Sequence, residues 1–564
     1  MFRLNRCRSI AAGCWPPRAQ GPTLIKRFSR LRASRPRLVA SNTLVGRAMS
    51  SHTPSDMQHD FFRYTSGRWL WDEETRLRER YRWFDVLELQ AAAAKSVGAK
   101  KCVSMVKIAE GNFNRVFRLH MDNSSTVIAR IPTLRTGSSR LKVASEVATM
   151  DFALSILGIP VPKVLAWSME DDNPVQAEYI IMEEAEGSQL RQVWTTLSLD
   201  SKLKIVADYI NIEKKLLSVS FLRFGSLYFA QHGFPGCIKA QIEGNYTSST
   251  KAKVENRFAI GPMADDDFWE DERKDMSIDR GPWEQPQDYL KAIAKREAAW
   301  LSEYADRDAA PTRVTSLIID RSQHLPEAHL DLYDKFERIA EYILPSDKRL
   351  LQPAIWYWDT SYSNIFVQGN KISSIIDWVD TCVGPLYLQA RRPRFVTDNE
   401  DALGELYSRN TSDTNPLLHE ILNLPHRDKR VYLHSFAHDT WNNDILPFRE
   451  CLIQFFRRWD EFCPSQPCPI QFTSEELAEH FSRAEGWNKY ADFWDVISPL
   501  VQRDGWTENE TYDEAAKVLA DTRADWLEFC EGEEMRAQME LCEREEMRAS
   551  LEQATRWMDK SLPQ

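Results

Sequence analysis

The feature that most constrains how this chain can fold is one stretch in its second half, where three polar side chains interrupt two apolar runs. Asp359 is followed five residues later by Asn364, and Asp377 lies inside the second apolar run. The apolar residues on either side of the Gln-Gly-Asn-Lys sequence at 368–371 predict two short strands joined by a tight turn. Such a hairpin brings Asn364 and Asp377 to the same end, with Asp359 on the loop that precedes it.

These three side chains are the groups that metal-assisted phosphoryl transfer requires. One carboxylate orients an attacking hydroxyl group or accepts its proton, and we expect Asp359 to have this catalytic role. An amide oxygen and a second carboxylate hold the magnesium ions that neutralise the phosphates. We expect Asn364 and Asp377 to be these metal ligands.

A second stretch begins at His329 and contains Asp331. Its start is similar to that of the stretch around Asp359, but its later residues exclude it as a catalytic loop. The residue five positions after Asp331 is Phe336, whose side chain cannot bind a metal. Apolar residues recur at helical spacing from Phe336 through Ile339 to Ile343. This pattern predicts an amphipathic helix.

The first third of the chain has the pattern of a β-rich unit. Apolar alternation over residues 103–130 predicts three strands, and Gly111 lies in the turn between the first two. A glycine turn lets backbone N–H groups approach phosphate oxygens, although most such turns in proteins bind nothing. Arg130 ends the third strand, and Glu146 lies on the apolar helix that follows.

Taken together, these segments resemble the aminoglycoside phosphotransferase and choline kinase family, which is distantly related to the protein kinases. That family has the catalytic loop His-x-Asp-x-x-x-x-Asn, two small strands, and then Ile-Asp-Trp or Ile-Asp-Phe. The resemblance extends to the Gly-x-Pro-x-Pro-x-Val sequence that begins at Gly158. It implies an α+β, two-lobed protein kinase-like fold with a small β-rich N-lobe and a large helical C-lobe.

The same resemblance implies ATP and Mg²⁺ as cofactors, and a small-molecule acceptor that presents a hydroxyl group. Backbone groups between the lobes would bind the adenine, and Arg130 with Glu146 would hold the phosphates. The residues implied for the nucleotide are Gly111, Asn114, Arg130, Glu146, Glu183 and Glu184. Fold analogy does not identify the acceptor, because acceptor pockets are built from variable loops.

The chain departs from the family pattern at three places. Arg130 stands where the family has a lysine, Tyr357 replaces the histidine of the catalytic loop, and Tyr387 lies where another aspartate is frequent. An arginine keeps the charge but replaces a compact ammonium with a planar fork. Two hypotheses therefore remain: an active phosphotransferase, or a pseudokinase that serves as a nucleotide-binding or scaffold protein in mitochondrial maintenance.

The N-terminal segment indicates where the protein is located. Residues 1–50 are rich in arginine and serine, and the first acidic residue is Asp56. This composition predicts a mitochondrial presequence; the alternative is a disordered basic tail that binds nucleic acid. The net charge of −11 argues against nucleic-acid binding by the mature protein, and no apolar run has the length of a transmembrane segment.

The remaining chain divides into four predicted parts. They are an arm and helix at 51–100, the nucleotide-binding N-lobe at 101–187, the helical C-lobe with catalytic loop and insert at 188–530, and a charged helix at 531–564. The charged helix has few apolar positions, so it is predicted to be solvated, with a protein partner as the second possibility.

Overall fold

The computed structural model describes residues 59–111, 113–133, 139–306, 321–398, 402–502 and 504–531. The predicted presequence at 1–50 lies outside the described residues. The predicted charged C-terminal helix lies outside them too, except for its first residue. Within the described residues no helix combines the length and the apolar character needed to span a membrane.

An ordered arm precedes the N-lobe and contacts the other end of the chain. It contains β1 (Arg68–Trp69), α1 (Glu73–Glu79) and α2 (Val86–Ser96). Strand β1 pairs antiparallel with Trp506 and Thr507, and the Trp69 indole N–H donates to Asp504 over 3.1 Å. Helix α2 begins where the Asp85 side chain accepts hydrogen bonds from two backbone N–H groups and so caps the helix.

The N-lobe is a five-stranded antiparallel sheet with the spatial order β2-β3-β4-β6-β5. Its strands are β2 (Cys102–Glu110), β3 (Asn114–Met121), β4 (Thr126–Pro132), β5 (Val164–Ser168) and β6 (Tyr179–Glu183). Side chains of β3 alternate between buried and less buried positions, as the period of two requires. Helix α3 (Ser139–Ser155) follows β4 and carries Glu146.

The C-lobe is mainly helical around two large apolar clusters. Its first elements are β7 (Ser188–Gln189), α4 (Leu190–Val193) and α5 (Leu199–Leu216). The stretch that begins at His329 lies in a long amphipathic helix whose buried side chains include Phe336 and Ile343, so the predicted helix is confirmed. The second cluster also includes Val147 of α3 and Ile180 of β6, so it continues into the N-lobe.

An insert of small strands, residues 218–285, follows α5 and packs against helix α3. It contains β8 (Ser220–Phe221), β9 (Ser226–Phe229), β10 (Ile238–Lys239), β11 (Ile242–Glu243), α6 (Ser248–Arg257) and β12 (Phe258–Gly261). Ala144 of α3 is buried against Tyr228 and Phe234 of the insert. Arg257 forms two hydrogen bonds of 2.8 Å with Asp151 at the far end of α3.

The remaining C-lobe elements include the predicted catalytic hairpin. They are α7 (Pro286–Tyr304), α8 (Pro326–Ile343), β13 (Pro353–Ile355), β14 (Ile365–Gln368), β15 (Lys371–Ile375), β16 (Val383–Pro385), α9 (Leu386–Gln389), α10 (Arg394–Thr397), α11 (Ala402–Thr414), α12 (Pro416–Leu422), α13 (Arg427–Phe436), α14 (Ile445–Arg457), α15 (Trp459–Phe462), α16 (Ser474–Ile497), β17 (Trp506–Thr507) and α17 (Tyr512–Glu531). Strands β14 and β15 form the expected hairpin. The predicted two-lobed α+β, kinase-like fold is confirmed.

Candidate active site

The hairpin of β14 and β15 brings the predicted catalytic and metal-binding segments together. The Asn364 side-chain amide donates to the Asp359 carboxylate over 2.9 Å, and both side chains are buried. The backbone N–H of Ile376 donates to the Asn364 carbonyl over 3.0 Å, which places Asp377 one residue beyond this contact. The Asn364 amide uses its nitrogen, Nδ2, for this bond, so its oxygen does not face Asp359.

Asp377 links this segment to the N-lobe. Its backbone has φ of +63°, a left-handed conformation that is uncommon for residues other than glycine and is found at functional sites. Its carboxylate oxygen lies 3.7 Å from Nη2 of Arg130, which is on β4 of the opposite lobe. The cation predicted for the phosphates therefore faces the carboxylate predicted for the metal.

Arg130 and Glu146 form the expected pair between strand β4 and helix α3. The guanidinium donates to both carboxylate oxygens of Glu146, over 2.5 and 3.2 Å, and both side chains are buried. With its side-chain amide oriented to satisfy its neighbours, Asn114 accepts a further bond of 2.6 Å from Nη2 of Arg130. Burial disfavours the charge on Arg130, but the carboxylates of Glu146 and Asp377 outweigh burial and raise its pKa.

The other residues predicted for the nucleotide lie at strand ends and turns of the N-lobe sheet. Gly111 closes the turn between β2 and β3, where its N–H donates to the Asn114 carbonyl over 2.9 Å. That N–H is already paired, so a phosphate contact of Gly111 stays a prediction based on its place in the turn. Glu183 ends β6, and its N–H donates to the Lys163 carbonyl. Glu184 forms an ion pair with Arg118 over 2.5 Å.

The electrostatic environment of Asp359 differs from that of a carboxylate in water. Burial and the negative charge of Asp377 raise the pKa of Asp359, while Arg394 and the hydrogen bond from Asn364 act in the opposite direction. A carboxylate with a raised pKa is a better proton acceptor than a solvated one. Asp359 is therefore suited to receive a proton from an acceptor hydroxyl.

Tyr357, in the position of the family's histidine, is a core residue. Its ring packs against Trp378, with ring centroids 4.8 Å apart, and only 1% of its surface is exposed. Burial raises its pKa well above the usual value, so the phenol stays neutral. Tyr387, the third departure from the family pattern, is also buried, at the start of α9.

A buried charge cluster beside the site was not predicted from the sequence. Lys142, one helical turn before Glu146 on α3, forms ion pairs with Asp266 of the insert and with Asp380, 3.3 Å away. Burial raises the pKa of Asp380 to about 6, although Lys142 opposes this shift. Lys142 lies on the same helix face as Glu146, and this spacing of four is the one sequence signal that could have identified it.

The donor set fits a magnesium–nucleotide complex. In the described part of the chain, no three His, Cys, Asp or Glu side chains are grouped in a way that could hold a metal ion by themselves. Mg²⁺ usually takes only one or two protein carboxylates and completes its shell with phosphate oxygens and water. Asp377 and the amide oxygen of Asn364 are such a partial set, and Arg130 lies beside them for the phosphates.

A model of the phosphotransferase enzyme family matches residues 104–388, about half of the chain, and this range contains every predicted site residue. Among curated proteins, a subtelomeric hrmA-associated cluster protein of Aspergillus fumigatus is 28% identical over 497 residues. That match covers 76% of this chain and 94% of the relative.

Other relatives are named altered inheritance of mitochondria protein 9, mitochondrial. The protein of Lachancea thermotolerans is 24% identical, and the match covers 76% of this chain and 77% of the relative. The protein of Yarrowia lipolytica is 23% identical, with 80% and 85% covered. These names confirm the mitochondrial location that the N-terminal composition predicts.

Two solved structures are examples of proteins whose folds are similar to that of this chain. Aminoglycoside phosphotransferase APH(4)-Ia, as a thermostable mutant with AMP-PNP and hygromycin B, is 14% identical with a TM-score of 0.34. That match covers 65% of this chain and 98% of the other. APH(2″)-IIa with streptomycin and ATP is 15% identical with a TM-score of 0.34, and 68% and 97% of the two chains are covered.

Proposed function

The chain belongs to the phosphotransferase enzyme family, and we propose that it is a mitochondrial small-molecule kinase that transfers the γ-phosphate of ATP to a hydroxyl group. The acceptor is a small molecule, and Mg²⁺ accompanies the nucleotide. The observation that carries the proposal is the contact of 3.7 Å between Arg130 and Asp377, because it joins the phosphate-binding cation of one lobe to the metal-binding carboxylate of the other.

In this proposal Asp359 acts on the acceptor. The acceptor oxygen attacks the γ-phosphorus, its proton passes to the Asp359 carboxylate, and the bond to the oxygen between the β- and γ-phosphates breaks. Burial keeps Asp359 from being fully solvated, and its raised pKa favours proton acceptance. Asn364 fixes the orientation of that carboxylate through the bond of 2.9 Å.

The N-lobe residues hold the phosphates. Glu146 fixes the position of the Arg130 guanidinium, and Asn114 accepts a hydrogen bond from its Nη2. The cation is therefore positioned before the nucleotide binds. Asn364 and Asp377 would hold Mg²⁺, which supplies charge neutralisation at the phosphates when bound. In this proposal, backbone groups near Glu183 and Glu184 bind the adenine.

The decisive experiment compares nucleotide binding and turnover in purified protein. We expect Mg-ATP to raise the melting temperature of the wild type, and Asp377→Asn to weaken Mg-ATP binding by at least about tenfold. Asp359→Asn should keep Mg-ATP binding but lower the rate of phosphate transfer by about 100-fold or more. Asp413→Asn, an exposed acid on α11, is the matched control and should change neither quantity.

The same measurements separate the two hypotheses for this chain. Mg-ATP binding without phosphate release or transfer, in a screen of hydroxyl-bearing metabolites, would favour the pseudokinase. No binding at millimolar Mg-ATP would reject both the kinase and the nucleotide-binding pseudokinase, and would leave a scaffold protein with a kinase fold. Equal stabilisation of the wild type and Asp377→Asn by Mg-ATP would remove Asp377 from its proposed role.

A further inference from the structure

A short anchored segment carries an arginine to the side of the catalytic loop. The backbone N–H of Arg394 donates to the Thr360 hydroxyl over 2.9 Å, and Thr360 directly follows Asp359. The residues on both sides, Pro393 and Phe395, are buried. The Arg394 side chain is exposed, so an accessible cation lies on a fixed backbone next to the proposed base.

Aromatic packing fixes the position of this segment. The Phe395 ring lies 5.3 Å from Tyr209 and 5.9 Å from Trp194, measured between ring centroids. Trp194 also contacts the ring of Tyr362, which belongs to the catalytic loop. The Trp194 ring therefore packs against both the segment and the catalytic loop.

The start of the segment is fixed by a second arginine. The buried Arg427 guanidinium donates to the carbonyl of Tyr387, over 2.6 and 3.0 Å, and to the carbonyl of Ala390, over 2.6 Å. These three hydrogen bonds go to backbone oxygens seven and four residues before Arg394. The loop that presents Arg394 is thus held at both ends, as expected of a binding element built on a rigid support.

Two further cationic residues contact Tyr362 or Trp194. Arg191 is exposed on α4, and its backbone N–H donates to the Tyr362 carbonyl over 2.9 Å. The Lys202 ammonium lies 5.1 Å from the centre of the Trp194 ring. Among the residues that the structure describes, no carboxylate lies within ion-pair distance of Arg191, Lys202 or Arg394.

We propose that the acceptor alcohol carries an anionic group, a phosphate ester or a carboxylate, which Arg394 binds while Asp359 engages the hydroxyl. This inference rests on the phosphotransferase function proposed above. A guanidinium matches the planar, bidentate geometry of phosphate and carboxylate oxygens, and such charge-assisted bonds are stronger than neutral ones. A cationic acceptor would instead be repelled by the exposed Arg394 guanidinium beside Asp359.

The test uses inorganic phosphate as the probe, with the nucleotide site first saturated by Mg-AMP-PNP. We expect calorimetry to show phosphate binding to the wild type, and Arg394→Gln to weaken it by about tenfold, the effect of losing one charged hydrogen bond. Arg409→Gln removes an exposed arginine from α11 and should leave phosphate binding unchanged. Glycerol 3-phosphate should bind through Arg394 as well, and choline should not compete.

Vesicles distinguish a soluble acceptor from a lipid headgroup that carries the same phosphate chemistry. If vesicles of phosphatidylglycerol, but not of phosphatidylcholine, bind the wild type and release Arg394→Gln, the anion belongs to a lipid. If phosphate and glycerol 3-phosphate bind but vesicles do not, it belongs to a soluble metabolite. Either outcome supports an anionic acceptor.

Three results would overturn the inference. They are equal phosphate binding by the wild type and Arg394→Gln, no phosphate binding at about 50 mM, or tighter binding of choline than of phosphate. Mg-AMP-PNP binding in the same samples keeps the proposed function separate. If the nucleotide does not bind, the proposed function fails, and the phosphate titration without nucleotide still reports on Arg394.

Discussion

The phenolic hydroxyl of Tyr357 donates to the backbone carbonyl of Ile376 over 2.8 Å, and so joins the chain just before Asp359 to the residue just before Asp377. The phenol is neutral and buried, so this bond is made in a site without competing water. The two segments that carry the proposed base and the proposed metal ligand therefore move together.

Removing this bond should affect both stability and nucleotide binding. Tyr357→Phe leaves a buried carbonyl without its partner, which should cost about 1–3 kcal/mol of unfolding free energy. Because Asp377 follows that carbonyl, Mg-AMP-PNP affinity should fall too. Tyr228→Phe removes a similar bond of 2.7 Å in the insert, so it should lower stability without changing affinity. Unchanged affinity in Tyr357→Phe would contradict the coupling.

Arg130→Lys decides whether the phosphate site is adapted to arginine. The guanidinium bonds to Glu146 and Asn114 at once, and a lysine cannot make all of these contacts. We expect Arg130→Lys to lower Mg-AMP-PNP affinity by about tenfold, measured by calorimetry. Arg273→Lys changes a buried arginine in a comparable pair with Glu297 and is the control for stability alone. Higher nucleotide affinity in Arg130→Lys would mean that the site has decayed from a lysine.

The Lys142 cluster should hold helix α3 against the insert. Lys142→Met leaves Asp266 and Asp380 partly buried without their cation, and the loss should be about 3–5 kcal/mol in chemical unfolding. Since Glu146 is on the same helix, Mg-AMP-PNP affinity should also decrease. Arg257→Gln breaks a more exposed contact between α3 and the insert and should cost about 1 kcal/mol or less. Equal losses in the two variants would show that burial of Lys142 is unimportant.

The buried carboxyl group of Glu213 should make the free energy of unfolding depend on pH. Burial raises its pKa to about 8, and its Oε2 has no hydrogen-bond partner in the part of the chain that the structure describes. The folded state therefore holds this proton more tightly than the unfolded state. The resulting stability is fully present below about pH 4.5 and is lost as the pH rises towards 8, by at most about 1.4 kcal/mol per pH unit.

Glu213→Gln should remove this dependence while keeping an oxygen for the hydroxyl of Tyr407, which donates to Glu213 over 2.9 Å. Melting temperatures at pH 5 and pH 8 are the measurement. The difference between the two should be smaller in Glu213→Gln than in the wild type. Glu405→Gln, an exposed change on α11, should keep the wild-type difference. Identical pH profiles for the wild type and Glu213→Gln would contradict the raised pKa.

Residues 1–50 should direct a fused fluorescent reporter to mitochondria and be removed there. The physical reason is the excess of arginine without acidic residues, which suits import driven by a membrane potential. Imaging of the reporter and N-terminal sequencing of the mature protein are the measurements. A version with Arg27, Arg30 and Arg32 changed to glutamine should be imported less well. A cytosolic reporter would contradict the presequence.

The sequence predicted those parts of the fold that depend on local patterns. The hairpin at 365–375 follows from short apolar runs around a glycine turn. The helix around Phe336 follows from apolar spacing. Each of these is fixed by residues within about one turn or one strand of each other.

Contacts between distant segments could not be predicted in the same way. Lys142 and Asp266 are 124 residues apart, and Arg394 meets Thr360 across 34 residues. Neither pair leaves a periodic pattern, because each depends on how whole elements pack. The sequence also did not indicate that the Gly111 N–H pairs within its own turn, since that depends on the register of β2 and β3.

The pairing of the arm with the last strand has a consequence for biogenesis. Trp69 emerges from the ribosome 435 residues before Asp504, its hydrogen-bond partner. At about 5–20 residues per second, the arm waits for roughly 20–90 s with its tryptophans uncovered. We therefore expect a nascent chain of this protein to need chaperones until synthesis is nearly complete. A transcript truncated before codon 504 would yield a chain whose first aromatic segment has no strand to pair with.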